Sequence, residues 1–336
     1  MWSSREDPPW IRLEDLSAVA AARRATTRLC TRLAFSEQRT AEVSLAATEL
    51  ATNAVLHASA PSLLVRVRRW LDTAGVDMVL MDRGPGMADV DASFEDGVST
   101  RGTFGVGLGT VRRLSNGLDV LSSPASGTVT HAMFCPSIAT TPPSISVDGL
   151  TRPITGEDAN GDAWAARETD SALTMLVVDG LGHGELAAHA ARAAIDMFAS
   201  EPWRGPAAFL EAANGRLAGS RGAAVFAGHL ERDTGRLVYS SVGNIAGRVV
   251  GHDHAVGLVS HPGIVGVLTR AVKEQSVIVE PGSVVVIHSD GLTQKWDVST
   301  VRTARTRNPT LLGGLLLRDA GIHHDDATAV VARADR

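Results

Sequence analysis

Apolar residues return every three or four positions in two early runs, "SAVAAARRATTRLCTRL" (Ser17–Leu33) and "SEQRTAEVSLAATELATNAVLHA" (Ser36–Ala58). That period predicts two amphipathic helices, with Ser17 and Ser36 as N-caps. From Leu63 the period drops to two. "LLVRVRRW" (Leu63–Trp70) alternates apolar and basic residues, the pattern of a half-buried strand. "GVDMVLMD" (Gly75–Asp82) predicts a second strand that runs directly into "RGPGM". "TVRRLSNG" reads as a short helix, and "LDVLSS" and "GTVTHAMF" as closing strands. Residues 1–12 read as a loose arm.

The pattern then breaks. "PSIATTPPSIS" (Pro136–Ser146) is uncharged and rich in Pro, Ser and Thr, which predicts a linker between two domains, residues 1–135 and 147–336. Beyond it strands dominate: "ALTMLVV", "AAVFAGHL", "RLVYSSVG", "SVVVIH" and "ATAVVAR". Helical stretches interrupt them at Glu185–Ala199, Pro206–Leu217 and Leu311–Ala320. The fold class expected is α/β (α+β), in two domains, as suits 336 residues at about 150 residues per domain.

Composition narrows the function. Residues 1–140 hold 14 Arg against 15 acidic residues, and the rest 18 basic against 22 acidic. Neither half is basic, so nucleic acid is not the expected partner. Cys30 and Cys135 are the only cysteines, which gives no disulfide framework and no zinc spacing. The start, "MWSSREDPPW", has no apolar signal region, and no apolar run reaches the ~18 residues of a membrane span. A cytoplasmic setting with no membrane partner is the expectation.

Within the second predicted helix, Glu49, Asn53 and His57 recur every four residues along one face. Periodicity alone allows a solvated polar stripe. "DRGPGM" sets Asp82 at a strand end before Gly84 and Gly86; such a carboxylate could accept a hydrogen bond from an exocyclic amine such as that of adenine, or could cap the turn. "GTFGVGLGTVRRL" carries Gly105, Gly107 and Gly109 ahead of a helix, where backbone amides favour phosphate. A Walker A loop requires Lys, and the first Lys is Lys273. No strand precedes these glycines, which disfavours a Rossmann turn.

These pieces, together with "DGVST" and Gly127–Thr128 in "SSPASGTV", resemble the N, G1 and G2 boxes of the GHKL ATP-binding fold. The nearest branch is the small serine kinases of bacterial partner-switching systems, of the RsbT/RsbW type. The resemblance covers roughly residues 15–135 and implies a Bergerat α/β sandwich that binds ATP and Mg²⁺. By resemblance Asn53 would hold Mg²⁺, Glu49 would act as general base toward a Ser or Thr hydroxyl, Asp82 would read adenine, and Thr128 would lie near it. His57 receives no role. A histidine kinase is not the expectation, because the stretch ahead of the expected fold is too short for a dimerising phospho-acceptor helix pair.

In the second half stand Asp162 ("NGD"), Asp179 ("DGLGHG"), Asp290 ("SDGL") and Asp325 ("DDAT"), three of which border strongly β-forming runs. Each could simply begin a turn. Brought together, they would repel and raise one another's pKa unless a divalent cation joined them, and oxygen ligands suit Mg²⁺ or Mn²⁺. With "YSSVGNIAG", these motifs resemble the metal-dependent serine/threonine phosphatases of the 2C class, SpoIIE/RsbX branch, an α-β-β-α sandwich. By that resemblance Asp179 and the carbonyl of Gly180 would bind two metal ions, completed by Asp162, Asp290 and Asp325, with Asp325 a better match than Asp326. Asn244 reads as a turn residue, and His288, His323 and His324 as incidental. His183 could contact phosphate. The basic residue with which larger 2C enzymes grip phosphate has no clear counterpart; Arg152 is a candidate by position only.

The expectation is thus a kinase fused to a phosphatase, acting on STAS-type regulators of a sigma-factor or stress-response switch. The alternative is a nucleotide-binding module that sequesters a sigma factor or another phosphatase while regulating an active phosphatase domain.

Overall fold

A computed structural model describes residues 2–4, 8, 10–69, 73–93, 107–157 and 159–334. Gly105, Trp70 and the "DGVST" segment lie outside the described residues. The chain divides into two compact units: Asp7–Ser144, and Ile145–Arg336 together with Met1–Glu6. No helix among the described residues is long and apolar enough to cross a membrane.

The residues read as a loose arm contribute two short strands, β1 (Trp2–Ser3) and β2 (Ile11–Arg12). They belong to different sheets. β1 pairs with a strand of the C-terminal unit, and β2 with β3 of the N-terminal unit. Two-residue strands carry no readable period, so alternation could not reveal them.

In the N-terminal unit, α1 (Leu16–Arg32) and α2 (Glu37–His57) precede β3 (Ser62–Arg69) and β4 (Ala74–Asp82). Then follow α3 (Val90–Ser93), α4 (Gly107–Leu114), β5 (Gly117–Ser122) and β6 (Thr128–Phe134). Ser36 caps α2, its hydroxyl accepting from the Arg39 amide at 3.1 Å. The cap of α1 is Asp15 rather than Ser17: its carboxylate accepts from the Ser17 amide at 2.7 Å and the Ala18 amide at 3.3 Å. A carboxylate at that place also meets the positive end of the helix dipole. The sheet order is β2-β3-β4-β6-β5. One face packs Leu63, Val65, Val76, Met78 and Phe134 against Val43, Ala47, Leu50 and Ala54 of α2.

The basic residues of β3 depart from the half-buried expectation. Arg66 and Arg68 are as buried as their apolar neighbours, because Arg66 faces Asp77 across the β3–β4 register. Asp77 is fully buried, bonded to Arg68 Nε, 3.6 Å from Arg66 and 3.4 Å from His131 Nε2. Burial alone would raise the Asp77 pKa; Arg68, His131 and Arg66 hold it well below the carboxylate range instead.

The C-terminal unit is two sheets with helices outside. One has the order β1-β8-β9-β10-β11-β14, the other β13-β12-β15-β16-β7. Their strands are β7 (Val147–Arg152), β8 (Asp162–Glu168), β9 (Ala172–Gly180), β10 (Ala223–Glu231), β11 (Arg236–Val242), β12 (Ala246–Val250), β13 (Ala255–Leu258), β14 (Gln275–Ile278), β15 (Val284–His288) and β16 (Ala327–Arg333). Trp164, Met175, Val177, Phe226, Val285, Ile287 and Val330 fill the space between the sheets. The helices α5 (Glu185–Ser200) and α6 (Pro206–Arg216) cover the first sheet through Ala190, Ala194, Phe198 and Leu210. Two more helices complete the unit, α7 (Val298–Ala304) and α8 (Pro309–Ala320), with α8 packed on β7 and β16. The strands β7, β8, β12, β13 and β14 and the helix α7 were not foreseen. Their segments are short, interrupted by Gly, or mixed in polarity; the strands persist because neighbouring strands pair with them, and α7 starts at the Asp297 cap.

Replacing Asp77 by Ala leaves two buried guanidinium groups without their counter-charge. The expected cost is about 3–5 kcal/mol of local stability. Hydrogen exchange of β3 and β4 amides in the full chain measures it, and unchanged protection would contradict this account of the cluster.

Candidate active sites

In the N-terminal unit, α2 presents Glu49 and Asn53 half-buried and His57 exposed. The helix α4 begins at Gly107, earlier than the sequence pattern indicated, so Gly107 and Gly109 lie in its first turn. Gly107 sits directly against the two polar side chains: a Cβ there would stand 2.6 Å from Glu49 Oε2 and 3.1 Å from Asn53 Nδ2. The described start of α4 thus adjoins a carboxylate and an amide carried by α2. That juxtaposition suits a phosphate chain, a cation and a hydroxyl acceptor.

Asp82 ends β4 and is paired in register with Thr128, the first residue of β6. Its Oδ1 accepts from the Gly84 amide at 2.6 Å, so the turn-capping role is present. Gly86 and Gly127 take left-handed backbone, with φ of +69° and +73°. A Cβ on Gly86 would meet the Ser123 carbonyl, and one on Gly127 the Asp82 carbonyl. These glycines are explained by two turns packing on each other, whatever ligand lies nearby. The hydroxyls of Ser122 and Thr128 share a 2.9 Å hydrogen bond.

In the C-terminal unit, Asp162 and Asp179 stand directly opposite each other on β8 and β9. Like charges in that relation destabilise a sheet. Asp290 follows β15, and Asp325 and Asp326 precede β16, so strand ends from both sheets supply the carboxylates. Burial raises the Asp162 pKa to about 8, with Asp326 and Asp290 adding to the rise against the Ser289 hydrogen bond. Burial likewise raises Asp179 to about 9, followed by repulsion from Asp162, Asp290, Asp325 and Asp326. Among the described residues no three carboxylate, imidazole or thiol side chains already form a closed coordination group. The fit to a cation rests on the donors: they are oxygen-only and crowded, and Asp162 and Asp179 hold their protons at neutral pH unless positive charge joins them. A hard divalent ion meets those requirements.

Glycine spacing follows from the crowding. A Cβ on Gly180 would fall 2.3 Å from the Ala187 carbonyl, and one on Gly291 would overlap the Asp326 carbonyl. The "DG" pairs therefore let a helix and a second strand end close on the carboxylates.

Asp326 is buried and committed to structure, accepting from the Ile154 and Gly161 amides, each at 2.8 Å. Asp325 is half-buried, and its charge reaches Asp179. Three partners escaped the sequence reading. Ser289 donates to Asp162 Oδ2 at 2.5 Å. Asn244 Nδ2 donates to Asp290 Oδ2 at 2.5 Å, so it orients a carboxylate rather than only closing a turn. Glu157 holds His183 Nδ1 at 2.6 Å. The neighbouring "SD" and "VGN" motifs were the available signals for the first two. His288 is buried and packs on Trp296, whereas His323 and His324 are exposed. Arg152 donates to the Ile322 carbonyl at 2.8 Å, just before the Asp325 loop.

Comparison with known proteins agrees with both halves. Residues 13–133 match the Histidine kinase-like ATPase domain family, and residues 169–335 match Stage II sporulation protein E (SpoIIE). Serine/threonine-protein kinase RsbT of Bacillus subtilis (strain 168) is 30% identical over 115 residues, which is 34% of this chain and 86% of RsbT. A solved structure described as "The bacterial stressosome: a modular system that has been adapted to control secondary messenger signaling" matches with a TM-score of 0.53 at 27% identity, covering 57% of this chain and 100% of that one. In its first half the chain belongs to the family of RsbT, with a histidine kinase-like (GHKL) ATPase domain, and its second half matches the SpoIIE family. The N-terminal unit has the GHKL fold and the C-terminal unit the phosphatase 2C fold.

The carboxylate crowding has a consequence for stability. With raised pKa values, folded Asp162 and Asp179 keep protons that the unfolded chain has already released above about pH 4. Their contribution favours folding below that pH and is lost as pH rises through 8 to 9. In chelator at pH 8.5, Asp179→Asn should therefore melt several degrees above the parent. Mn²⁺ should raise the parent and leave the variant unmoved. Scanning calorimetry with and without Mn²⁺ checks both; a parent insensitive to Mn²⁺ would contradict the cation fit.

Proposed function

We propose that the chain both writes and erases phosphate on serine or threonine of STAS-type regulatory proteins, in a sigma-factor or stress-response switch. The kinase part corresponds to the unit Asp7–Ser144, and the phosphatase part to Ile145–Arg336 together with Met1–Glu6, so the first residues expected in the kinase domain belong to the other unit. The observation that carries the reading is that each half gathers its own polar constellation: Glu49 and Asn53 against Gly107, and the aspartates at the strand ends. The similarity to RsbT and to the stressosome structure supports the substrate class.

In the kinase part, Glu49 would accept the proton of the attacking hydroxyl, and Asn53 would hold the Mg²⁺ that accompanies ATP. The amides of Gly105, Gly107 and Gly109 would receive phosphate oxygens, while Asp82, with Thr128 and the Gly84–Gly86 turn, would receive adenine. In the phosphatase part, Asp162, Asp179, Asp290, Asp325 and the carbonyl of Gly180 would hold two Mn²⁺ or Mg²⁺ ions. Bound there, such ions supply an activated water and offset phosphoryl charge. The protein's own task is then to position: Ser289 fixes Asp162, Asn244 fixes Asp290, and the glycines let the backbone of α5 and of the residues just before β16 close on the carboxylates.

Radiolabelled ATP with a STAS-domain protein tests the first half. Glu49→Gln should lower transfer by about 10²–10⁴-fold while ATP binding persists. Undiminished transfer would remove Glu49 from the role of base, and ATP binding with no transfer in the parent would favour a sequestering module. For the second half, Asp179→Asn should abolish Mn²⁺-dependent phosphate release from a phosphoserine peptide.

A further inference from the structure

Beside the aspartate cluster lies a recess of about 280 Å³ that the proposed chemistry does not use. Asn244, Arg248, Leu258, His288, Gln294 and Trp296 are among its lining residues, and no carboxylate lines it. Arg248, half-buried on β12, lies over the Trp296 ring at 5.0 Å from its centroid. It forms no ion pair among the described residues. The ring itself is fixed. Trp296 Nε1 donates to His288 Nε2 at 3.2 Å, and His288 Nδ1 donates to the Ser289 carbonyl at 2.8 Å. Those two bonds make His288 the neutral Nδ1–H tautomer, so it adds no charge of its own. The recess thus holds one cation, pre-oriented on an aromatic face, with no anion to balance it.

Position gives the recess its meaning. Asn244 is a shared wall: it lines the recess and bonds Asp290 Oδ2. Ser289, next to His288, bonds Asp162. A side chain seated beside Arg248 would therefore lie next to the aspartates, where a phosphoserine of the same polypeptide would be held. The volume falls just below the roughly 300–1,000 Å³ of small-molecule sites, and suits one side chain better than a cofactor. An arginine fork, backed by the exposed amide of Gln294 at the rim, matches a carboxylate.

We propose that this recess is a specificity pocket for an acidic side chain, Asp or Glu, flanking the phosphoserine of the substrate, with Arg248 as its recognition residue. The proposal rests on the phosphatase reading of the C-terminal unit.

The test uses the full chain with Mn²⁺, phosphoserine peptides bearing Glu, Ala or Lys at each position from three before to three after the phosphoserine, and an aryl phosphate, which has no flanking residue. One position should prefer Glu over Ala by about tenfold in kcat/KM, the scale of one charge-assisted hydrogen bond. Arg248→Ala should erase that preference and Arg248→Glu should turn it toward Lys, with aryl phosphate hydrolysed at the parent rate as proof of an intact fold. Hydrolysis without any acidic preference, or a preference that survives Arg248→Ala, overturns the pocket alone. An equal loss on aryl phosphate and on all peptides overturns it differently, assigning Arg248 to the phosphoryl group. Absence of turnover by the parent on every substrate overturns the phosphatase reading, and the pocket with it.

Discussion

Two carboxylates placed opposite each other on neighbouring strands oppose folding, and the C-terminal unit is arranged around that conflict. Asp162 and Asp179 meet at the ends of β8 and β9, and the second sheet brings Asp290 and Asp325 toward them. Nothing in strand pairing requires this. A core of the same topology would be more stable with neutral residues there, since crowding costs free energy while no cation is bound. The surrounding bonds from Ser289 and Asn244 hold the oxygens in place despite their repulsion. The sandwich is thus a rigid frame that forces negative groups together, and binding energy for a divalent ion follows from relieving that force.

The N-terminal unit solves a related problem differently. Its buried Asp77 is neutralised by its own neighbours, Arg66 and Arg68, in a closed cluster that asks nothing of a ligand. Glu49 and Asn53 are left half-open beside Gly107. One unit therefore contains both kinds of polar group: a charge-balanced one that serves structure and an open one suited to chemistry. Burial together with partner charge separates them, and residue type alone does not.

Much of this was legible in sequence. Long periodic segments such as α2, β9, β10 and β16 declared themselves, and the Asp-Gly pairs marked strand ends. What stayed hidden depended on tertiary pairing. The alternation of β3 correctly indicated a strand but not that its arginines would be covered, because Asp77 lies on the next strand. Asp15 displaced Ser17 as a cap because a carboxylate reached two amides from two residues earlier. The bond from Asn244 to Asp290 spans 46 positions, and no local pattern encodes it. The glycines of the N-terminal unit had the right spacing for a nucleotide loop, yet Gly86 and Gly127 are also demanded by two turns pressing together.

The first strand of the polypeptide completes a sheet made otherwise of residues beyond 160. Trp2 and Ser3 lie alongside Ala166 and Ala165, and the Ser4 hydroxyl accepts from the Trp164 amide at 3.0 Å. During synthesis these residues emerge well before the β8 edge that they pair with. Cleaving the molecule within its Pro- and Ser-rich connector would not yield two finished halves. The later piece would carry β8 as a bare edge, with hydrogen-bonding groups open to whatever extended segment arrived.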